Sequence, residues 1–320
     1  GGPQGMVVVG EAIDGVARTL GLLPEVVRAR NLYKDGDETH YWQPIENCRL
    51  QAIWPAVEES AELAARRERI ARFNAESASV KRGIAMTPVK FGISFTATLL
   101  NQAGALVLVY RDGTVQVNHG GTEMGQGLYT KMRGVAMRAF GLPEGAVRVM
   151  KTRTDKVPNT SATAASSGAD LNGQAVKNAC DAIKERLVPL AQKKLGTSGE
   201  ITFEGGRVIS REDPAKSVAF GELCSDAHVA QISLSATGYY RTPGIAYDRA
   251  AGRGKPFYYF AYGAAVTEVE VDARSGMKRV LRVDILHDVG DTLNAGVDRG
   301  QIEGAFVQGM GWLTSEELKW

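Results

Sequence analysis

Over residues 7–20 and again over 57–76, apolar side chains recur every three or four positions, with polar ones opposite and no proline in either span. That period predicts two surface helices. Beyond Gly83 the pattern shortens to that of strands: residues 84–95, then 105–110, a turn at Arg111, Asp112 and Gly113, and 115–118, the last two runs forming a hairpin. A helix is predicted over 127–140, a short strand over 147–151, a loop of small residues, and a long helix over 172–192. A second hairpin follows at 201–209, then strands at 232–240, 257–271 and 280–289, with a turn at 273–276 before the last strand and a helix over 299–310 after it. Antiparallel hairpins alternating with packed helices make an α+β chain rather than a doubly wound one. A shift in composition near Lys81 is the one candidate internal boundary in what otherwise reads as a single region, 1–320.

Composition narrows the classes. The chain is 44% hydrophobic and 23% charged, an ordinary globular balance, and 38 Lys and Arg against 36 Asp and Glu leave a net charge of +2 with no basic block to meet a nucleic acid. No apolar run approaches the roughly 20 residues that cross a bilayer, and the opening Gly1, Gly2, Pro3, Gln4, Gly5 is not built like a signal peptide. Cys48, Cys180 and Cys224 are odd in number and far apart, which favours neither a disulfide framework nor a thiolate site and fits the cytoplasm. The first Met is Met6, and residues 311–320 stop in a helix-like stretch without a capping signal, so the chain reads as an internal piece of a longer polypeptide. Glycine is unusual: 37 in 320 residues, about 12% against a usual ~7%.

Three segments stand out for their glycines and small residues. His119, Gly120, Gly121, Thr122, Glu123, Met124, Gly125, Gln126 and Gly127 sit between a strand and a helix start, where unpaired N–H groups favour an anion; a purely structural turn is the competing reading. Residues 157–170 are mostly small and precede the long helix, and the hydroxyls of Thr163, Ser166 and Ser167 add donors; a capped helix start is the alternative. Gly300, Gly304 and Gly311 recur on a helix, which points to close approach of another backbone or a cofactor. His40, His119, His228 and His287 show no paired spacing for zinc, and neither a nucleophile elbow nor a hydrolytic triad is present.

Taken together, residues 1–4, 31–40, 90–96, 118–127, 157–174 and 300–311 resemble the molybdenum-binding part of the xanthine dehydrogenase family, the molybdo-flavoprotein hydroxylases. The resemblance implies a molybdopterin whose Mo carries oxo and sulfido ligands and needs no protein ligand. It implies pterin contacts at Met124, Gly125, Gln126 and Gln301, and a loop at the phosphate and near the metal formed by Thr163, Ala164, Ala165, Ser166 and Ser167, with Ala165 nearest Mo without ligating it. It further implies that the ring of Phe95 holds a purine and that Thr96 is a neighbouring substrate contact. The family's catalytic glutamate is expected beyond Trp320, so no catalytic residue is assigned here.

The activity so implied is hydroxylation of hypoxanthine and xanthine to urate, with water as the oxygen source. Electrons would leave through 2Fe-2S clusters to FAD and NAD on other domains or subunits, in a cytoplasmic assembly that is a dimer, with no nucleic acid or membrane partner. An aldehyde oxidase of the same family and a cofactor-free scaffold fragment are the alternatives.

Overall fold

The computed structural model describes residues 2–156 and 160–319. Val157, Pro158 and Asn159, at the head of the small-residue segment, lie outside the described residues, as do Gly1 and Trp320. In chain order the elements begin with α1 (Gly2–Leu20), α2 (Pro24–Arg30), α3 (Leu50–Ser60), α4 (Leu63–Glu76), β1 (Val80–Ile93), β2 (Gln102–Val109), β3 (Val115–His119), α5 (Leu128–Phe140) and β4 (Val147–Val149). They continue with α6 (Gly168–Leu195), β5 (Ile201–Glu204), β6 (Arg207–Ser210), β7 (Ser217–Ala219), α7 (Phe220–Val229), β8 (Ser235–Arg241), β9 (Ala246–Asp248), β10 (Arg253–Lys255), β11 (Tyr259–Asp272), β12 (Lys278–His287) and α8 (Ala295–Trp312).

These elements gather into two compact units. The first runs to Gly92 and adds Asp248–Lys255 and Tyr259–Gly290; the second holds Ile93–Tyr247, Pro256–Tyr258 and the chain from Asp291 onward. Lys81 lies inside β1, and the first crossing between units falls after Gly92.

In the first unit the sheet order is β1-β11-β12, with β11 and β12 antiparallel from Gly263 opposite His287 to Val271 opposite Lys278. Leu50, Ile53, Trp54 and Val57 of α3 are buried in one cluster with Met86, Tyr262, Ala264 and Val266. The single helix expected over 57–76 is instead the end of α3 and the whole of α4, broken where Glu62 adopts φ +52°. Arg66 explains the break. It is 2% exposed, its Nε and Nη1 meet Glu268 and Asp284 at 2.7 Å each, and Nη1 also donates to the Ala61 carbonyl at 3.2 Å. A buried guanidinium must be paired, and the turn at Ala61 presents it with a further acceptor.

The second unit is built on the sheet β4-β3-β2-β8, antiparallel except for β3 beside β4. β2 alternates half-buried and buried residues along its length, the period-2 signature of one covered face. α5 and α6 supply the cover: Leu128, Met132, Ala136 and Phe140 are buried in one cluster with Val176, Ala179, Ile183, Val107 and Val117. Gly238 of β8 lets α6 come this close, because a Cβ there would lie 2.0 Å from the Ala175 carbonyl oxygen. The antiparallel strands β5, β6 and β7 and the helix α7 extend the core, with the Phe220 ring 5.4 Å from Phe140 and 6.2 Å from Phe203.

Candidate functional site

Two loops interlock where β3 ends. A Cβ on Gly120 would lie 2.3 Å from the side chain of Thr160, and one on Gly121 would lie 2.4 Å from Leu128 and 2.8 Å from Asn172. Glycine stands here because the neighbouring segment fills the volume a side chain would need. The next residue seals the contact: the Thr122 N–H donates to Thr163 Oγ1 at 2.8 Å. Beneath them Thr152 donates its hydroxyl to the Gly121 carbonyl at 2.6 Å, and its N–H goes to Tyr129 Oη at 2.9 Å.

The expectation of an open anion cradle at the start of α5 needs correction. The Glu123 carboxylate accepts from the N–H groups of Gly125, Gly127 and Tyr129 at 2.9, 3.0 and 2.9 Å, so the helix terminus is already capped by a negative charge of its own. Burial pushes that carboxyl up, but the backbone donors of Tyr129, Gly127, Gly125 and Leu128 together hold it below its ordinary value. Gln126 also works within the loop: its Oε1 accepts from the Met124 N–H at 2.6 Å and its Nε2 donates to the Thr122 carbonyl at 2.8 Å. Met124 is left 66% exposed. From α8, Gln301 Nε2 donates to the Gly125 carbonyl at 3.3 Å, which joins the fourth expected pterin contact to the loop that holds the other three.

At α6 the situation is reversed. Its 28 residues start without a side-chain cap, and Ser167 turns its hydroxyl to the Ala164 carbonyl at 3.2 Å. Ala165 and Ser166 both take φ +55°, a left-handed conformation that costs energy for residues with a Cβ and is kept where the surroundings demand it. A long helix that starts without a side-chain cap presents first-turn N–H groups of the kind that attract an anion.

Three buried polar atoms around the junction have no hydrogen-bond partner among the described residues: Asn118 Oδ1, His119 Nε2 and Asn172 Oδ1. His119 Nδ1 accepts from the Gly121 N–H at 3.1 Å, which assigns the proton to Nε2. Burial pushes its pKa down to about 4 against the opposing charge of Glu123, so the ring is neutral, edge-on to Tyr129 at 5.2 Å. Asn118, Tyr129, Thr152 and Asn172 were not singled out from sequence. Asn172 carried a usable signal, since it stands four residues after Gly168 and donates to that carbonyl at 2.8 Å.

Phe95 and Thr96 lie in the turn after β1, the first half-buried and the second exposed, and no hydrogen bond among the described residues joins either to the two loops. Among the described residues nothing lies within 4 Å of where a Cβ would sit on Gly300 or Gly304, so no backbone of these residues packs closely there, and only Gly311 of α8 is buried. The donors gathered at the junction are backbone N–H groups, amides and hydroxyls, a set that suits phosphate, oxo and heterocyclic groups rather than a bare cation. Among the described residues, no three His, Cys, Asp or Glu side chains are grouped to hold a metal ion.

Residues 56–320 match the family model of the molybdopterin cofactor-binding domain. The chain is 46% identical over 318 residues to the xanthine dehydrogenase/oxidase of Mus musculus, 47% over 320 residues to that of Gallus gallus, and 44% over 321 residues to the xanthine dehydrogenase of Dictyostelium discoideum. These alignments take in 99%, 100% and 99% of this chain but 22% of each relative, so the chain spans about a fifth of their length. Among solved structures, quinoline 2-oxidoreductase from Pseudomonas putida 86 superposes with a TM-score of 0.82 at 24% identity, over 96% of this chain and 40% of that one. The aldehyde oxidoreductase from Desulfovibrio desulfuricans ATCC 27774 does so at 0.76 and 25%, over 97% and 31%.

Proposed function

The chain belongs to the molybdopterin cofactor-binding domain family, and from that premise we propose that it forms the cofactor-holding portion of a xanthine dehydrogenase that hydroxylates hypoxanthine and xanthine to urate. The observation that carries the reading is the contrast between the two helix starts: α5 is capped by Glu123, whereas α6 is uncapped beside the left-handed turn at Ala165 and Ser166. A phosphate is held at that second start by backbone N–H groups, with the hydroxyl of Ser166 beside it. Thr163, Ala164 and Ser167 shape the loop, and Ala165 stands nearest the metal without ligating it. Exposed Met124 and Gly125 and half-buried Gln126 line the pterin from the other loop, and Gln301 braces that loop from α8. The orphaned His119 Nε2–H and the Asn118 and Asn172 oxygens leave buried polar capacity for a bound group or an ordered water.

When bound, the molybdenum cofactor supplies the redox and oxygen-transfer chemistry. What this chain adds on the substrate side is the ring of Phe95, which holds a planar purine by its edge, and the Thr96 hydroxyl, which meets a heterocycle oxygen. The remaining segments of the longer polypeptide or its partner subunits carry the catalytic glutamate, the 2Fe-2S clusters, FAD and the NAD site, in a cytoplasmic dimer. No helix among the described residues is long and apolar enough to cross a membrane.

The test is to measure Mo, pterin and xanthine turnover in the purified full-length protein, with the wild type beside Ala165→Leu and in water enriched in heavy oxygen. The reading expects Mo-replete wild type that makes urate carrying solvent oxygen, and a folded Ala165→Leu protein without activity. Mo-replete protein that oxidises aldehydes but leaves xanthine untouched would overturn the purine assignment.

A further inference from the structure

β1 ends at Ile93, and the chain then makes a turn that contributes nothing to the buried cores of the protein. Thr96, Thr98 and Leu99 are exposed, Leu99 by 72%, so apolar packing does little to hold this segment in place. One side chain does it instead. Asn101 is 2% exposed; its Oδ1 accepts from the Phe95 N–H at 2.8 Å, and its Nδ2 donates to the Phe95 carbonyl at 2.9 Å and to the Thr98 carbonyl at 3.3 Å.

The carboxamide thus takes the place of a neighbouring strand, satisfying both backbone groups of Phe95 at once. Asn101 is itself fixed from two sides, by its N–H to the Thr98 carbonyl at 3.1 Å and by its carbonyl, which accepts from Thr242 beyond β8 at 3.0 Å. On the other flank of Phe95, buried Ser94 sits at φ +150°, and its Oγ and the Ile93 carbonyl accept from the Tyr258 N–H at 3.3 and 3.1 Å. A sparsely populated backbone conformation next to a doubly clamped residue is a device for holding one side chain in one place.

We propose that Asn101 is a positioning residue for the substrate-facing ring of Phe95, an inference that rests on the purine reading of that ring given above. The carboxamide is the chemistry this requires. An aspartate keeps the acceptor for the Phe95 N–H but sets a carboxylate against two carbonyl oxygens, and an alanine frees both backbone groups. Because the clamp touches only backbone and lies outside the buried clusters, its loss loosens residues 94–101 and with them the angle of the ring, while the core stays packed.

The experiment is a double-variant cycle in the full-length protein, using xanthine as the probe, with Mo content and hydrogen exchange measured alongside. Asn101→Ala is expected to lower kcat/KM on the order of tenfold to a hundredfold, mainly through kcat, as misplacement of a bound substrate does. Exchange should quicken over 94–101 alone, and Mo content should hold. Phe95→Ala should lower kcat/KM comparably, and adding Asn101→Ala to it should change little further. If Asn101→Ala folds poorly, Asn101→Ser runs the same cycle without burying a charge. Losses that multiply in the double variant overturn the positioning role and leave the Phe95 reading standing. Wild-type kinetics in Phe95→Ala overturn the Phe95 reading, and the positioning role with it.

Discussion

The Thr122 N–H donates to the Thr163 hydroxyl at 2.8 Å, and this bond fastens the loop leaving β3 to the loop entering α6. Forty-one positions apart in sequence, the two residues carry the junction at which the cofactor is proposed to lie. Thr122 is exposed, so water replaces a lost acceptor and the energetic cost of losing it is only about 1 kcal/mol. Geometry suffers more than stability. Thr163→Val should therefore leave the protein folded yet shed pterin several-fold faster on dialysis, while Thr163→Ser keeps it; equal retention in all three proteins would show the loops to be independent.

Glu123 caps α5 with its carboxylate, so Glu123→Gln removes a charge from a helix start and weakens three backbone bonds, at a cost of about 1 to 2 kcal/mol. Its pKa is held below the ordinary 4.5, which means the stabilisation is present above that value and lost as pH falls through the lower, folded one. Hydrogen exchange over 125–129 should report it: protection falls in the variant at neutral pH, and the two proteins converge in acid.

His119 titrates in the opposite chemical sense but loses stability in the same direction. Burial lowers its pKa from 6.5 to about 4, so unfolding takes up a proton between those values, and stability falls as pH drops from about 6.5 to about 4, by at most about 3 kcal/mol. His119→Gln should flatten that dependence. Exchange protection over 115–129, corrected for intrinsic rates, measures it, and parallel pH profiles in both proteins would contradict the assignment of a neutral ring.

Arg66 of the first unit is 2% exposed, and both Glu268 and Asp284 pair with it at 2.7 Å. Arg66→Ala should cost about 3 kcal/mol, toward the lower end of the range for breaking a buried pair, because Arg282 still meets Asp284 at 2.7 Å. The loss should be concentrated in exchange protection of β11 and β12. Protection unchanged there would mean that the break between α3 and α4 has another cause.

How much of this was readable beforehand depends on the physics of each element. The β2 and β3 hairpin and α6 announce themselves because a half-covered strand and a long buried helix write their period into many residues. α2 and α7 are 7 and 10 residues long, too few turns for a period to stand out, and both escaped notice. The break at Glu62 was hidden because its cause, Arg66, answers to carboxylates some 200 positions away. At the site, the glycine and small-residue segments were found, but which helix start was free was not. Glu123 stands two residues before Gly125 and four before Gly127, as an acid capping its own helix would, yet a one-dimensional pattern does not say where its carboxylate turns. Asn101 was missed for the same reason: a carboxamide that replaces a strand partner leaves no spacing rule behind.

The most direct measurement is the position of the metal itself, by anomalous diffraction at the molybdenum edge from crystals of the full-length protein. A single Mo peak should lie beside the Ala165 backbone, with the organic ligand running between Met124–Gln126 and the start of α6, and no side chain of residues 1–320 bonded to the metal. A peak remote from both loops, or a direct bond from any of these side chains, would contradict the proposed site.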